Sequence, residues 1–257
     1  MKKLLSYLKS LTITTNQLVF FTCCYIALIL NLPFLVKATE VITSLDNYNW
    51  FFLLSLPLFL LSISIILQSI LAFRWITKPI LIITVICSSL IFYGTISYGL
   101  VFDYGMVQNT VETDTAEALS YVNLHAILFF ILFGIVPSLL IYAVQLSYKP
   151  FLNELLTRLK LIAMSLCVVF LISGLFYSNY ASVGRNNKAL IGYITPYKML
   201  DASYKFVRNH YFTPPLKFKV LDTSPTIVRG SNRKHVTVMV LGETARADSF
   251  SLNGYNK

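Results

Sequence analysis

The sequence predicts an α-helical membrane protein: a bundle of five transmembrane helices, an amphipathic linker, and the first strand, turn and helix of an α/β domain. Three observations carry this reading. Hydrophobic residues make up 56% of the 257 and mean hydropathy is +0.68, more than a soluble domain carries. Five apolar runs approach or exceed the roughly 18 residues that cross ~30 Å of hydrocarbon. Basic residues gather on alternate connections between those runs.

The runs are Leu18 to Val36, Trp50 to Phe73, Pro79 to Phe102, Leu124 to Leu146 and Leu161 to Tyr177. The middle three contain no Asp, Glu, Lys or Arg. Asn31 and Pro33 interrupt the end of the first, which competes with a cleavable signal peptide. No convincing small-residue cleavage site follows it, so it is read as a retained span. Lys and Arg near span ends are held on the cytoplasmic side. Lys2, Lys3, Lys9, Arg74, Lys78, Lys149, Arg158 and Lys160 lie on one side of the predicted bundle, against Lys37 alone on the other. That other side carries Glu40, Asp46, Asp103, Glu112, Asp114 and Glu117. The expected orientation has the N-terminus in the cytoplasm and everything after Tyr177 outside.

A net charge of +10 suggests nucleic acid, but twelve of the 21 basic residues fall in the outside segment, where a membrane surface is the better partner. Cys23, Cys24, Cys87 and Cys167 all fall within spans without metal-ligand spacing, and are read as packing residues. Gln68 and Asn31, polar within the spans, are read as facing the bundle interior.

From Ser178 the chain turns polar, which marks a boundary between a membrane domain (1–177) and an extracytoplasmic linker (178–234). A helix is predicted to begin near Pro196, capped by Thr195. Tyr197, Leu200, Tyr204 and Val207 form an apolar stripe suited either to the membrane surface or to a soluble neighbour. Thr213-Pro214-Pro215 ends that element. His235 to Leu241 reads as a buried strand, and Gly242 with the residues after it as a turn into a helix, opening the third region (235–257).

Ligands of open α/β sheets bind at the carboxyl ends of strands, where Glu243 and Thr244 would stand. A carboxylate beside a hydroxyl there could hold a cation that makes the threonine a usable nucleophile. On the residues alone, Gly242-Glu243-Thr244 equally reads as a turn with a helix cap.

The run Val238-Met239-Val240-Leu241-Gly242-Glu243-Thr244-Ala245-Arg246-Ala247-Asp248-Ser249-Phe250-Ser251-Leu252-Asn253-Gly254-Tyr255 resembles the nucleophile segment of membrane-bound phosphoethanolamine transferases. These are enzymes of the lipid A modifying and colistin-resistance type, with an alkaline-phosphatase-like domain. The resemblance implies transfer of phosphoethanolamine from phosphatidylethanolamine to lipid A at the bacterial inner membrane, with the catalytic domain in the periplasm. It implies Thr244 as the nucleophile, phosphorylated in passing, and Glu243 with Thr244 as Zn2+ ligands. Further ligands, an Asp and a His, are expected beyond Lys257, so these 257 residues alone are expected to be inactive.

A second stretch, Tyr104 to Ala118, resembles the family segment that helps form the lipid-substrate site. Asn109, Thr113 and Glu117 carry over, and their spacing of four predicts one helix face. Arg246, Asp248, His125, His210 and His235 receive no chemistry. Competing readings are phosphoglycerol or phosphoethanolamine transfer to another lipid or glycan, and a non-catalytic membrane protein. Against the latter, the central spans lack the ionisable residues and inverted repeats of transport pathways.

Overall fold

Apolar sequence builds most helices of the computed structural model, which describes residues 12–45, 48–114, 119, 121–214 and 238, and polar side chains cap several of them. β1 (Thr12–Thr14) leads into α1 (Thr15–Tyr25) through a capping box. Gln17 N donates to Thr14 Oγ1 at 3.3 Å, and Thr14 N donates to Gln17 Oε1 at 2.9 Å, satisfying two backbone donors that a helix start leaves open. α1 widens into a π-helical segment, Ile26–Leu30, and stops at Asn31. α2 (Leu32–Thr43) restarts with Pro33 in its first turn, at 54° to the preceding helix.

α3 (Trp50–Leu71) is capped by Asn49, whose Oδ1 accepts from Phe51 N at 2.9 Å. α4 (Thr77–Tyr98) ends at Gly99, which adopts φ 67°. Glycine takes this left-handed conformation without a Cβ penalty. α5 (Tyr104–Glu112) is a short helix in the following connection. α6 (Leu124–Phe130), a second π-helical segment (Ile131–Ile135) and α7 (Val136–Ala143) run on as one apolar rod. Tyr25 Oη donates to Phe133 O at 2.7 Å within that segment, giving a partner to a carbonyl whose helical pairing is irregular.

β2 (Gln145–Ser147) pairs in parallel with β1, Thr12 opposite Gln145 and Thr14 opposite Ser147. α8 (Phe151–Asn186) then carries a non-helical residue, Phe176, at φ −121°, ψ 23°. α9 (Lys188–Ile191), α10 (Tyr197–Val207) and a π-helical segment, Arg208–Phe212, complete the described elements.

Four of these rods are long and apolar enough to cross a bilayer: Trp50–Leu71, Thr77–Tyr98, Leu124–Ala143 and Phe151–Asn186. The bent pair of α1 and α2 makes a fifth if it counts as one span. At 1.5 Å per residue, a 22-residue helix reaches about 33 Å, enough for the hydrocarbon core. Phe170, Leu171, Leu124 and Leu132 are exposed on the outer faces, the reverse of a water-soluble fold and what lipid contact requires.

Inside, one core gathers Val19, Cys23, Ile26 and Leu30 with Leu81 and Val85, and a second joins Phe34, Ile42, Phe52 and Leu56 to Leu190. α3 and α8 are tied by Ser55 Oγ and Tyr180 Oη at 3.0 Å. α4 meets the α6–α7 rod so closely at Gly134 that a Cβ there would lie 2.5 Å from Ser89 Oγ. Small residues permit such approach where no hydrophobic effect drives helices together.

Four of the five predicted spans are found as single helices and the first is the bent pair; two readings of the linker differ. The cap at Thr195 is not made: Pro196 precedes α10 and gives no side-chain cap. Thr195 N instead donates to Asn31 Oδ1 at 2.8 Å, since a buried backbone donor takes the nearest acceptor. The polar stretch after Ser178 continues α8 to Asn186 instead of leaving the helix. α10 buries Ala202 and Phe206 against Val107 of α5, whereas Leu200, Tyr204 and Val207 of its predicted stripe are exposed. All four cysteines are free, with Cys23 buried and Cys167 exposed. The chain divides into two units, 1–214 and 215–257. Of the second, only Val238 is among the described residues, so the strand from His235 and the segment after it lie outside them.

Candidate functional site

At the end of the bundle opposite Arg74 and Lys149, the turn after α4 sets the position of α5. Gly99 N donates to Thr95 O at 3.0 Å, and Thr95 Oγ1 donates to Leu100 O at 3.0 Å. Asp103 caps α5, its Oδ1 accepting from Met106 N at 3.0 Å. A carboxylate at that position satisfies an open N–H and complements the helix dipole. From the other side, Val107 packs on Ala202 and Phe206, and the Tyr104 ring lies 6.1 Å from that of Phe206.

α5 and the Thr113 that ends it thus present Met106, Asn109, Thr110 and Thr113 to a cavity of about 520 Å³, closed by Tyr93, Gly94, Tyr98, Leu100 and Tyr121. The tyrosines form a chain of edge-on rings. Tyr93 and Tyr98 have centroids 5.8 Å apart and hydroxyls 3.5 Å apart, and Tyr98 stands 5.7 Å from Tyr121. His125 lies 5.9 Å from Tyr93 and 6.4 Å from Phe129, as part of this aromatic packing.

Asn109 and Thr113 are brought together, but not as one face of a longer helix. The helix ends at Glu112, and Thr113 is extended at φ −66°, ψ 133°. Thr113 N and Oγ1 both donate to Asn109 O, at 2.8 and 2.6 Å. Threonine closes the helix in this way because its hydroxyl competes for the last carbonyls. Glu117, Glu243, Thr244, Arg246, Asp248 and His235 lie outside the described residues.

Neutral amide, hydroxyl and phenol groups line this cavity, with aromatic faces that attract an ammonium group within about 6 Å. Such a lining can bind a polar headgroup. It supplies no nucleophile paired with a base, and among the described residues no group of three or more His, Cys, Asp or Glu could hold a metal ion. Sequence reading missed the tyrosines. The available signal was their clustering at span ends, where aromatic residues anchor helices at the membrane interface.

A family model described as phosphoethanolamine transferase EptA/EptB matches residues 60–211, more than half the chain. The chain belongs to the EptA/EptB phosphoethanolamine transferase family. It is 31% identical to the phosphatidylethanolamine transferase Mcr-2 of Escherichia coli over 237 residues, 91% of this chain and 44% of that protein. Against Mcr-1 of Escherichia coli the identity is 32% over 233 residues, 88% of this chain and 42% of the relative. The phosphoethanolamine transferase EptA of Escherichia coli K12 is 28% identical over 236 residues, 90% and 43% of the two chains.

Among solved structures, the integral membrane lipooligosaccharide phosphoethanolamine transferase A (EptA) from Neisseria meningitidis superposes with a TM-score of 0.72 at 26% identity. The match covers 78% of this chain and 37% of that one. This EptA/EptB family chain spans less than half the length of the relatives it matches. The match to an integral membrane protein and the four or five apolar helices establish a membrane protein.

Proposed function

We propose that this chain is the membrane part of a phosphoethanolamine transferase that takes its group from phosphatidylethanolamine and passes it to lipid A. The observation that carries the reading is the cavity in which Asn109 and Thr113 stand beside Tyr93, Tyr98 and Tyr121, in a chain of this family. A zwitterionic headgroup suits it: the ammonium against ring faces and the phosphate near amide and hydroxyl donors. The meningococcal relative is a lipooligosaccharide phosphoethanolamine transferase, which supports a glycolipid acceptor.

In this reading Thr244 Oγ attacks phosphorus as the bond to the diacylglycerol oxygen breaks, and diacylglycerol leaves with the proton. A lipid A phosphate oxygen then displaces threonine from phosphorus. Positioning and charge neutralisation supply most of the catalysis in such transfers. The donors of the described cavity do not fit a metal. Zn2+ is assigned instead to Glu243 and Thr244 with further ligands, where it would lower the hydroxyl pKa and offset phosphate charge. The five spans, with the N-terminus in the cytoplasm, would hold the transfer site at the periplasmic face of the inner membrane.

The test compares lipid A mass in cells with and without the full-length gene. Addition of phosphoethanolamine is expected, and its loss in Thr244→Ala. Asn109→Ala should lower transfer about tenfold or more, as removal of a hydrogen bond to a charged group does. Unmodified lipid A with the intact gene well expressed overturns the acceptor, and full transfer in Thr244→Ala overturns the covalent route.

A further inference from the structure

The opposite end of the bundle carries a second cleft, of about 340 Å³, between the α3–α4 turn and the start of α8. Phe73, Arg74, Trp75, Lys149, Glu154 and Arg158 line it together with Phe151 and Leu155. Its charges are three cations and one carboxylate. Glu154 is already engaged: Thr15 Oγ1 donates to its Oε1 at 3.0 Å, and Arg158 Nη2 does so at 3.3 Å.

Arg158 is only 7% exposed, and its Nε has no hydrogen-bond partner. A buried guanidinium with one long contact to one carboxylate has donors left for an anion, and leaving them empty is costly. Arg74 and Lys149 are exposed, and among the described residues neither has a carboxylate within ion-pair distance. The Arg74 guanidinium rests 4.8 Å from the Tyr148 ring, and Tyr148 Oη donates to Arg74 O at 2.9 Å. Both contacts are to Tyr148, which ties the turn holding the cation to the connection before α8. Trp75 and Phe151 stand at the rim, 84% and 78% exposed, and the apolar face of α8 leads away from it. Exposed aromatics at span ends insert among lipid headgroups.

We infer that this cleft holds the phosphate of an anionic glycerophospholipid, with Arg158 at its floor, Arg74 and Lys149 at its mouth and the acyl chains running along α8. Free phosphate shares the charge but not the rim, which is why the lipid is the assigned occupant. Basic pockets between helix ends bind anionic headgroups by the same combination of charge and apolar wall.

The experiment titrates the purified chain in detergent with dihexanoyl phosphatidylglycerol, dihexanoyl phosphatidylcholine or inorganic phosphate, following intrinsic tryptophan fluorescence and the thermal midpoint. Phosphatidylglycerol should bind saturably, stabilise the chain, and weaken with added salt. The double variant Arg74→Gln/Lys149→Gln should bind it about thirtyfold more weakly, from two lost headgroup contacts of ordinary strength. Lys149 is exposed, whereas Arg74 stacks on Tyr148, so Lys149→Gln alone is the second variant and should bind about fivefold more weakly at an unchanged unliganded thermal midpoint. Arg185→Gln/Lys188→Gln, which removes two charges at the far end of α8, should leave affinity unchanged. Equal binding of phosphatidylcholine, phosphate acting as well as the lipid, or equal loss in the two double variants would each overturn the assignment.

Discussion

Asn31 interrupts an apolar run, yet it is 1% exposed and every polar atom of its side chain is used. Its Nδ2 donates to Ile26 O and Thr195 O, both at 2.9 Å, while its Oδ1 accepts from Thr195 N at 2.8 Å. One amide thus closes the end of a π-helical segment and binds the chain 164 residues later to the bend between α1 and α2. Asn31→Leu keeps the volume and leaves two backbone groups, Thr195 N and Thr195 O, without partners, each costing about 1–3 kcal/mol, while Ile26 O keeps the backbone N of residue 31. A drop of several degrees in thermal midpoint is expected, with Asn31→Asp as damaging because its carboxylate faces two carbonyls. Asp201 is the exposed counterpart. Hydrogen bonds from Lys205 and Lys198 hold its carboxyl below the usual carboxylate range. A depressed folded pKa contributes stability above the unfolded value, about 4, and that contribution is lost as pH falls through the folded value. Asp201→Asn should therefore be slightly less stable than the parent at pH 7, with the difference vanishing in acid as the carboxylate takes up its proton, in parallel unfolding curves.

Elements differ in how openly their residues announce them. The starts of α3 at Trp50 and of the α6–α7 rod at Leu124 coincide with the apolar runs, because Asn49 and Asn123 stand there as caps. Span ends come two to four residues early: α3 at Leu71, α4 at Tyr98 and α7 at Ala143. Hydropathy does not register a left-handed Gly99 or a three-residue strand such as β2. Three π-helical segments, Ile26–Leu30, Ile131–Ile135 and Arg208–Phe212, have no sequence period of their own. At the site, Asn109 and Thr113 were legible through the resemblance, whereas Tyr121 meets Tyr93 and Tyr98 only when the connection folds back on the end of α4. α5 is the element on which that cavity depends, and Asp103 holds its first turn. Asp103→Ala should cost about 1 kcal/mol of helix stability. Hydrogen exchange should show it as lost protection across residues 104–112, with Asp103→Asn restoring most of it. Unchanged protection in the alanine variant would show that packing by Ala202 and Phe206 alone fixes the helix.

For the molecule as a whole, the charge asymmetry of the connections becomes a spatial one. Arg74 lies over the Tyr148 ring, and Lys78 Nζ donates to Tyr142 O at 2.8 Å. The α3–α4 turn is thereby drawn to the connection that carries Lys149, and Arg74, Lys78 and Lys149 share one end. The other end holds Asp103, Glu112 and Asp114 and the tyrosine-lined cavity. An anionic leaflet attracts each basic residue by about 1 kcal/mol, and each charge moved against a 100 mV potential costs about 2.3 kcal/mol. The inverted topology is thus disfavoured several-fold over by Arg74, Lys78, Lys149 and Lys160 together. Trp75 and Val111 are exposed at the two ends, so single cysteines there report orientation once the four native cysteines are replaced. A membrane-impermeant maleimide should label Val111→Cys in cells whose outer membrane alone is opened, and Trp75→Cys only after the inner membrane is disrupted. The reverse pattern would put the tyrosine-lined cavity in the cytoplasm, away from any acceptor on the outer leaflet, and would remove the reading of that cavity as the donor site for an outward-facing transferase.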